Sequence, residues 1–355
     1  MRISSKLFLL VAGVSAVNMS ARLPATPQPS TVVVTVVDSL SRYPLANTDV
    51  FDIATGHHRF TDETGTVRLV WPSDGQLQLR IRQVGYQPLQ RTLRLTPGRD
   101  AVTFAMSRVA FVISTVKAVS HCSTPADSSA LDLSVALLDQ LKQGAEKYIQ
   151  FRQTYPFEAT IERRTAAIPA NGDVKRILVS KEKFSSDSWE PRYKPGEIIE
   201  WSYGNFTVPI LFLSTLADSV FWEHHCFVAR GVEWYQGTRV VRLEFSPSSD
   251  VKGPDYFGSA RLDSASSLLL RIDFQLANAK VDNGPRKLEG YTTFTSPSPF
   301  VMVPDTTVAV WWLRDAEHGD WGKPEFAQSL HVEDLRYRKQ KPPVYPATDS
   351  ATAKK

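Results

Sequence analysis

The sequence predicts a mostly β protein: an N-terminal seven-stranded β-sandwich, then an α+β domain with a large curved antiparallel sheet and one long helix. Three observations carry this. Short apolar segments recur between residues 31 and 106, separated by turn residues. A single segment, residues 127–153, repeats apolar side chains at three- and four-residue steps. From Tyr155 to about Arg338 the chain returns to short, often alternating segments, about ten of them in a row.

The chain opens with "MRISSK", which carries Arg2 and Lys6, then the apolar run "LFLLVAGVSAV" and the small residues Ser15, Ala16, Ser20 and Ala21. A basic start, a short apolar run and a small-residue exit predict a signal peptide over residues 1–21, cleaved after Ala16 or Ala21. The run is too short to span a bilayer, which takes about 20 apolar residues. An uncleaved interfacial anchor is the alternative. The mature protein is therefore expected in the periplasm or outside the cell, with outer-membrane association left open. Residues 22–30 read as a Pro-rich leader.

"TVVVTVVD" at 31–38 is a continuous β-branched run that suits a buried strand. "DVFDI", "TVRLV", "LQLRI", "RTLRL" and "AVTFAM" follow, with turns at "YPLAN", "DETG", "PSDG" and "TPGR". Asp62 and Gly65 suit a tight turn, and Gly85 before Tyr86 reads as a bend beside a packed ring. Val36–Asp38, Pro44–Leu45, Val50, Thr61–Asp62, Gly65, Leu69 and Gly85–Tyr86 stand in an order that resembles the carboxypeptidase regulatory-like domain. The resemblance covers residues 31–108 and implies a transthyretin-like sandwich. It implies no particular activity, because the module accompanies peptidases, transporters and adhesive proteins alike.

The second domain is expected over 109–338. Leu131, Val135, Leu138, Leu141, Ala145, Tyr148 and Ile149 place one apolar stripe on the helix. Asp127 or Ser128 suits its start, and Lys147 near its end suits the macrodipole. In the following segments Ile272, Phe274 and Leu276 alternate with Arg271, Asp273 and Gln275, which predicts one dry and one wet face. "SARLDSASSLLLRIDF" resembles hairpins of periplasmic lipoprotein-carrier proteins, half-barrels closed by helices. Cys122, His225–Phe227, Phe245–Pro247 and Gly258–Asp263 resemble the layout of uncharacterised bacterial proteins that carry the regulatory-like module. Residues 339–355 are expected to be a disordered tail.

Net charge is +4, from 41 basic and 37 acidic residues, with no arginine-rich block, so a nucleic-acid partner is not expected. The sequence contains no H-x-x-E, H-E-x-x-H, C-x-x-C, G-x-S-x-G or nucleotide-binding glycine motif. An enzyme, a cofactor and a metal are therefore not expected.

The segment "EHHCF" at 223–227 tests that expectation. On a strand, Glu223, His225 and Phe227 would share one face, and His224 and Cys226 the other. Two residues cannot complete a zinc shell of three or four ligands. In an oxidising compartment the two cysteines, Cys122 and Cys226, are expected to form a disulfide. It would close a loop of about 100 residues, worth up to about 4–5 kcal/mol. Two buried thiols or one reactive thiol are the alternatives. Trp201, Trp222, Trp234, Trp311 and Trp312 could line a ligand groove, or simply form sheet core and rim.

Three functions follow. The first is a non-enzymatic cell-envelope interaction or assembly protein that uses the sandwich for recognition. The second is a periplasmic carrier that holds a lipid or acyl group in the concave face of the second domain. The third is an accessory of a peptidase or hydrolase system. The expected partner is an envelope protein or an amphiphile.

Overall fold

Strand β1 (Thr31–Asp38) pairs antiparallel with β4 (Thr66–Val70) and parallel with β7 (Ala101–Met106). The computed structural model describes residues 31–95, 100–109, 128–168, 176–188, 190, 192–202, 205–207, 211–279, 285–298, 300–312, 326–339 and 341–342, with backbone alone at 128–134, 200–202 and 205–207. The expected signal peptide, the leader, Cys122 and all but the first residues of the expected tail lie outside the described residues.

A second sheet, in the order β3-β2-β5-β6, faces the first. It is built from β2 (Asp49–Asp52), β3 (His57–Phe60), β5 (Gln76–Arg82) and β6 (Leu89–Arg94). Val32, Val34 and Val36 of β1 meet Leu77, Leu79 and Ile81 of β5 in one core, all essentially inaccessible. Burial alternates from Thr31 to Val36, because one face meets the other sheet, and then runs on through Val37 and Asp38. In the turn before β4, the Asp62 carboxylate accepts from the Thr64 and Thr66 amides, each at 2.9 Å. Asp38 is buried, which raises a carboxyl. Hydrogen bonds from the Ser41 and Leu40 amides, Arg108 and the Tyr86 hydroxyl outweigh this and hold it well below the usual carboxylate range.

The rest of the chain is one long helix on a nine-stranded antiparallel sheet, ordered β12-β13-β14-β15-β16-β17-β18-β8-β9. Helix α1 (Ser128–Thr154) precedes β8 (Phe157–Ala167) and β9 (Ile177–Ser185). A small hairpin, β10 (Glu200–Ser202) with β11 (Asn205–Thr207), and two single-turn helices, α2 (Leu213–Ala217) and α3 (Ser219–Glu223), follow. The meander then runs through β12 (His225–Tyr235), β13 (Thr238–Pro247), β14 (Asp255–Asp263), β15 (Leu269–Ala277), β16 (Lys287–Ser298), β17 (Val301–Trp312) and β18 (Phe326–Tyr337). Its last strand, β18, closes onto β8, the first of the sheet in sequence. The fold is mostly β with one long helix.

Helix α1 lies across this sheet, touching β12 and β13 near one edge and β17 five strands further on. Leu137, Leu141, Ala145 and Tyr148 enter the core with Ile272, Phe274 and Leu276. Val135, expected in that stripe, is exposed. At Gly144 the helix leaves no room for a side chain: a Cβ there would stand 2.5 Å from the Met302 methyl.

The C-terminal half of α1 also packs against the sandwich. Lys147 is not a solvent-facing partner of the helix dipole. It is buried, donates to Gln83 Oε1 at 2.7 Å and lies 5.6 Å from the Phe300 ring centre. Arg82 bridges Asp49 (3.0 Å) and Glu146 (2.5 Å). The Gly85 amide donates to Gln140 Oε1 at 2.6 Å, and Asn47 Nδ2 to Ser298 Oγ at 2.7 Å. Gly85, with φ +85°, sits where a Cβ would meet the Ser266 carbonyl oxygen at 2.8 Å. Gly85, where the bend was expected, is thus also a close contact between the two halves.

Candidate functional site

The segment expected as one strand through "SVFWEHHCFVA" is a helix and then a strand. The Asp218 side chain accepts from the Val220 amide and starts α3, which ends at Glu223. The strand begins at His225. Glu223 and His225 therefore do not share a strand face as expected.

The His225 imidazole is fully buried and stacked on Phe221, with ring centres 3.9 Å apart. Its Nδ1 lies 3.0 Å from the Phe221 carbonyl, and its Nε2 lies 2.9 Å from the Tyr256 carbonyl and 3.5 Å from Asp255 Oδ1. Burial lowers its pKa, while the Asp255 carboxylate and the two carbonyls pull the other way. Asp255 also accepts from the Tyr193 hydroxyl (2.6 Å), the Gly196 amide (2.9 Å) and the Tyr256 amide (2.7 Å). These contacts tie the start of β12 to β14 and the 193–196 loop. Cys226 is buried beside it, and Cys122 lies outside the described residues. Among the described residues, no three His, Cys, Asp or Glu side chains gather to hold a metal ion.

The tryptophans do not converge. Trp222 and Trp311 pack into the core of the sheet domain, Trp311 against Phe326 at 5.2 Å. Trp312 is buried with Lys287 over its ring at 4.4 Å, and Trp234 is 73% exposed. The Trp201 side chain lies outside those described. A separate hollow, not lined by these four described tryptophans, lies elsewhere on the sheet.

That hollow lies between the helix-covered face of the sheet and the C-terminal half of α1, and measures about 120 Å³. Tyr148 of α1, Phe157 and Ala159 of β8, Phe184 of β9, Val303 of β17 and Leu335 of β18 form its apolar walls. The residues just before α2, Leu211 and Phe212, complete them. It forms where β18 turns back to pair with β8, so residues far apart in sequence meet there.

Few polar groups reach it. The Thr292 and Thr307 hydroxyls lie 3.0 Å apart, one donating to the other. Glu190 differs. Its side chain is 8% exposed, and Oε1 accepts from Arg152 of α1. Its Oε2 is buried and has no hydrogen-bond partner among the described residues. Burial, with the Glu190 charge next, pushes the Tyr148 hydroxyl up to about 12, so the phenol stays neutral. Sequence reasoning missed Glu190, a single acid in "SWEPRY"; its partner Arg152 is on another element, and no short-range pattern links them.

No family model matches the chain, so the regulatory-like resemblance of residues 31–108 is not supported by one. No curated protein matches it. Among solved structures, one from Vibrio parahaemolyticus, described as an outer membrane lipoprotein-sorting protein domain, is similar at 15% identity over 55% of this chain and 93% of that chain, with a TM-score of 0.30. A TM-score of that size does not establish a shared fold.

Proposed function

We propose that this protein is an exported, non-enzymatic carrier that holds the apolar part of an amphiphile under helix α1. The observation that supports this is the hollow itself. Interiors pack as densely as organic crystals, and voids larger than a water molecule are few. A partly open space of about 120 Å³ walled by aromatic and aliphatic side chains leaves room that such packing normally fills. An engineered apolar cavity of about 150 Å³ stays dry and binds benzene. The space here accordingly suits one slender chain or ring, not the bundled chains of a multi-acyl lipid. The basic, then apolar, N-terminal sequence supports export.

Native mass spectrometry of protein purified without detergent is expected to show an added mass of single-chain amphiphile size. Ala159→Phe puts a ring into the hollow. It should leave the fold intact and weaken binding of a fluorescent apolar probe about tenfold or more. Unchanged probe binding in that variant would place the ligand elsewhere.

A second reading, assembly with another envelope protein, is favoured by β9. It is the last strand of the sheet, and Ile177, Leu178 and Val179 are each more than half exposed. Edge strands of this kind template strand addition. Val179→Lys should abolish capture of such a partner; capture that survives it would remove β9 from consideration.

A further inference from the structure

We infer that the molecule held under α1 carries a neutral hydrogen-bond donor, a hydroxyl or an amide N–H, that docks on Oε2 of Glu190. The inference rests on the carrier reading and specifies its ligand.

The carboxylate lines an otherwise apolar space, more than nine-tenths buried, with one oxygen committed to Arg152 and the other unpartnered. A buried carboxylate oxygen without a donor is costly, because water has been removed and nothing replaces it. Native proteins pair such groups with protein, with ordered water or with bound molecules, and each exception calls for an explanation. Among the described residues, no hydrogen bond reaches Oε2: the Tyr148, Thr292 and Thr307 hydroxyls line the same space without bonding to it, and Asp305 has only acceptors to offer when ionised. A bound head group would supply the donor.

The charge balance selects the kind of donor. Arg152 already neutralises Glu190, so the pair carries no net charge. A cationic head group would leave an excess positive charge in an apolar space, and an anionic one would face the carboxylate directly. A neutral donor satisfies Oε2 without either penalty. With Phe157, Phe184, Val303 and Leu335 as walls, the remainder of the ligand is a single alkyl chain or a ring.

The test is displacement of N-phenylnaphthylamine from the wild-type protein by four probes of matched chain length at neutral pH: decanol, methyl nonyl ether, decanoate and decylamine. Decanol should displace the dye at a concentration at least about tenfold below that of the ether, because a hydrogen bond to a charged group is lost with the hydroxyl. Decanoate and decylamine should do no better than the ether. Equal potency of decanol and ether, or a clear lead for either charged probe, overturns the inference and leaves the carrier reading standing. Failure of all four to displace the dye overturns both. The double variant Arg152→Met with Glu190→Leu removes the pair together, so no charge is stranded. It should bind the ether as the wild type does and lose the preference for decanol. A preference that persists there assigns the donor contact to another group.

Discussion

Asp255 shows how one side chain can look reactive and be structural. It sits with a histidine and a tyrosine, a combination common in active sites, yet its oxygens are taken by Tyr193, Gly196 and Tyr256, with His225 close by. Asp255→Ala would leave those buried donors without an acceptor. It should cost at least about 3 kcal/mol in urea unfolding; a loss under about 1 kcal/mol would mean the donors find other partners. Cys226 has a separate test. Intact mass without reductant should be two protons below the reduced mass if Cys122 and Cys226 pair, and Cys226→Ser should remove that difference. At this scale the sequence was partly legible. The histidine pair was visible, but the strand alternation assumed for it was not the geometry found, because Glu223 ends a helix and the strand starts at His225. The burial of His225 under Phe221 was not visible, since it depends on a helix four residues upstream. Glu190 was invisible because nothing local distinguishes a lone acid.

Segments with a strong period were read well. Ile272, Phe274 and Leu276 are buried as their alternation implied, and the helix runs close to the expected limits. Short apolar stretches were ambiguous: "SVFWE" suits a strand or one helical turn equally, and the Asp218 cap decided it. The cavity walls could not be found this way either. Ala159, Val303 and Leu335 look like any core residues until the β18–β8 pairing brings them together. Helix position offers a direct check on how α1 roofs that space. Gly144→Leu forces a side chain into Met302 and should cost about 1–3 kcal/mol while disturbing the hollow. Val135→Ala, on the exposed face of the same helix, should stay within about 0.5 kcal/mol by the same denaturation measurement.

The whole molecule is held together across the junction of its two halves, and Lys147 is central there. Burial lowers its pKa from 10.5 to about 7, against the pull of Asp49 and with Arg82 adding to the fall. The folded protein therefore binds fewer protons than the unfolded chain between those values, and stability should rise with pH across that interval and be lower beneath it. Thermal unfolding followed from pH about 7 to about 9 should show the rise, and Lys147→Met should flatten it. An unchanged slope in the variant would mean that other groups set the pH dependence. The junction was hard to read from sequence because its partners, Gln83 with Lys147 and Asn47 with Ser298, are polar residues from distant segments.

The parallel pairing of β1 with β7 has a mechanical consequence. The chain enters the sandwich at the end where β7 begins and leaves it at the opposite end. Tension applied through the two ends of the module therefore pulls along the strands. Six facing residue pairs, from Val33 with Ala101 to Asp38 with Met106, then bear the load together instead of parting one after another. A module arranged this way resists stretching in line and makes a firm link to the sheet domain that follows it.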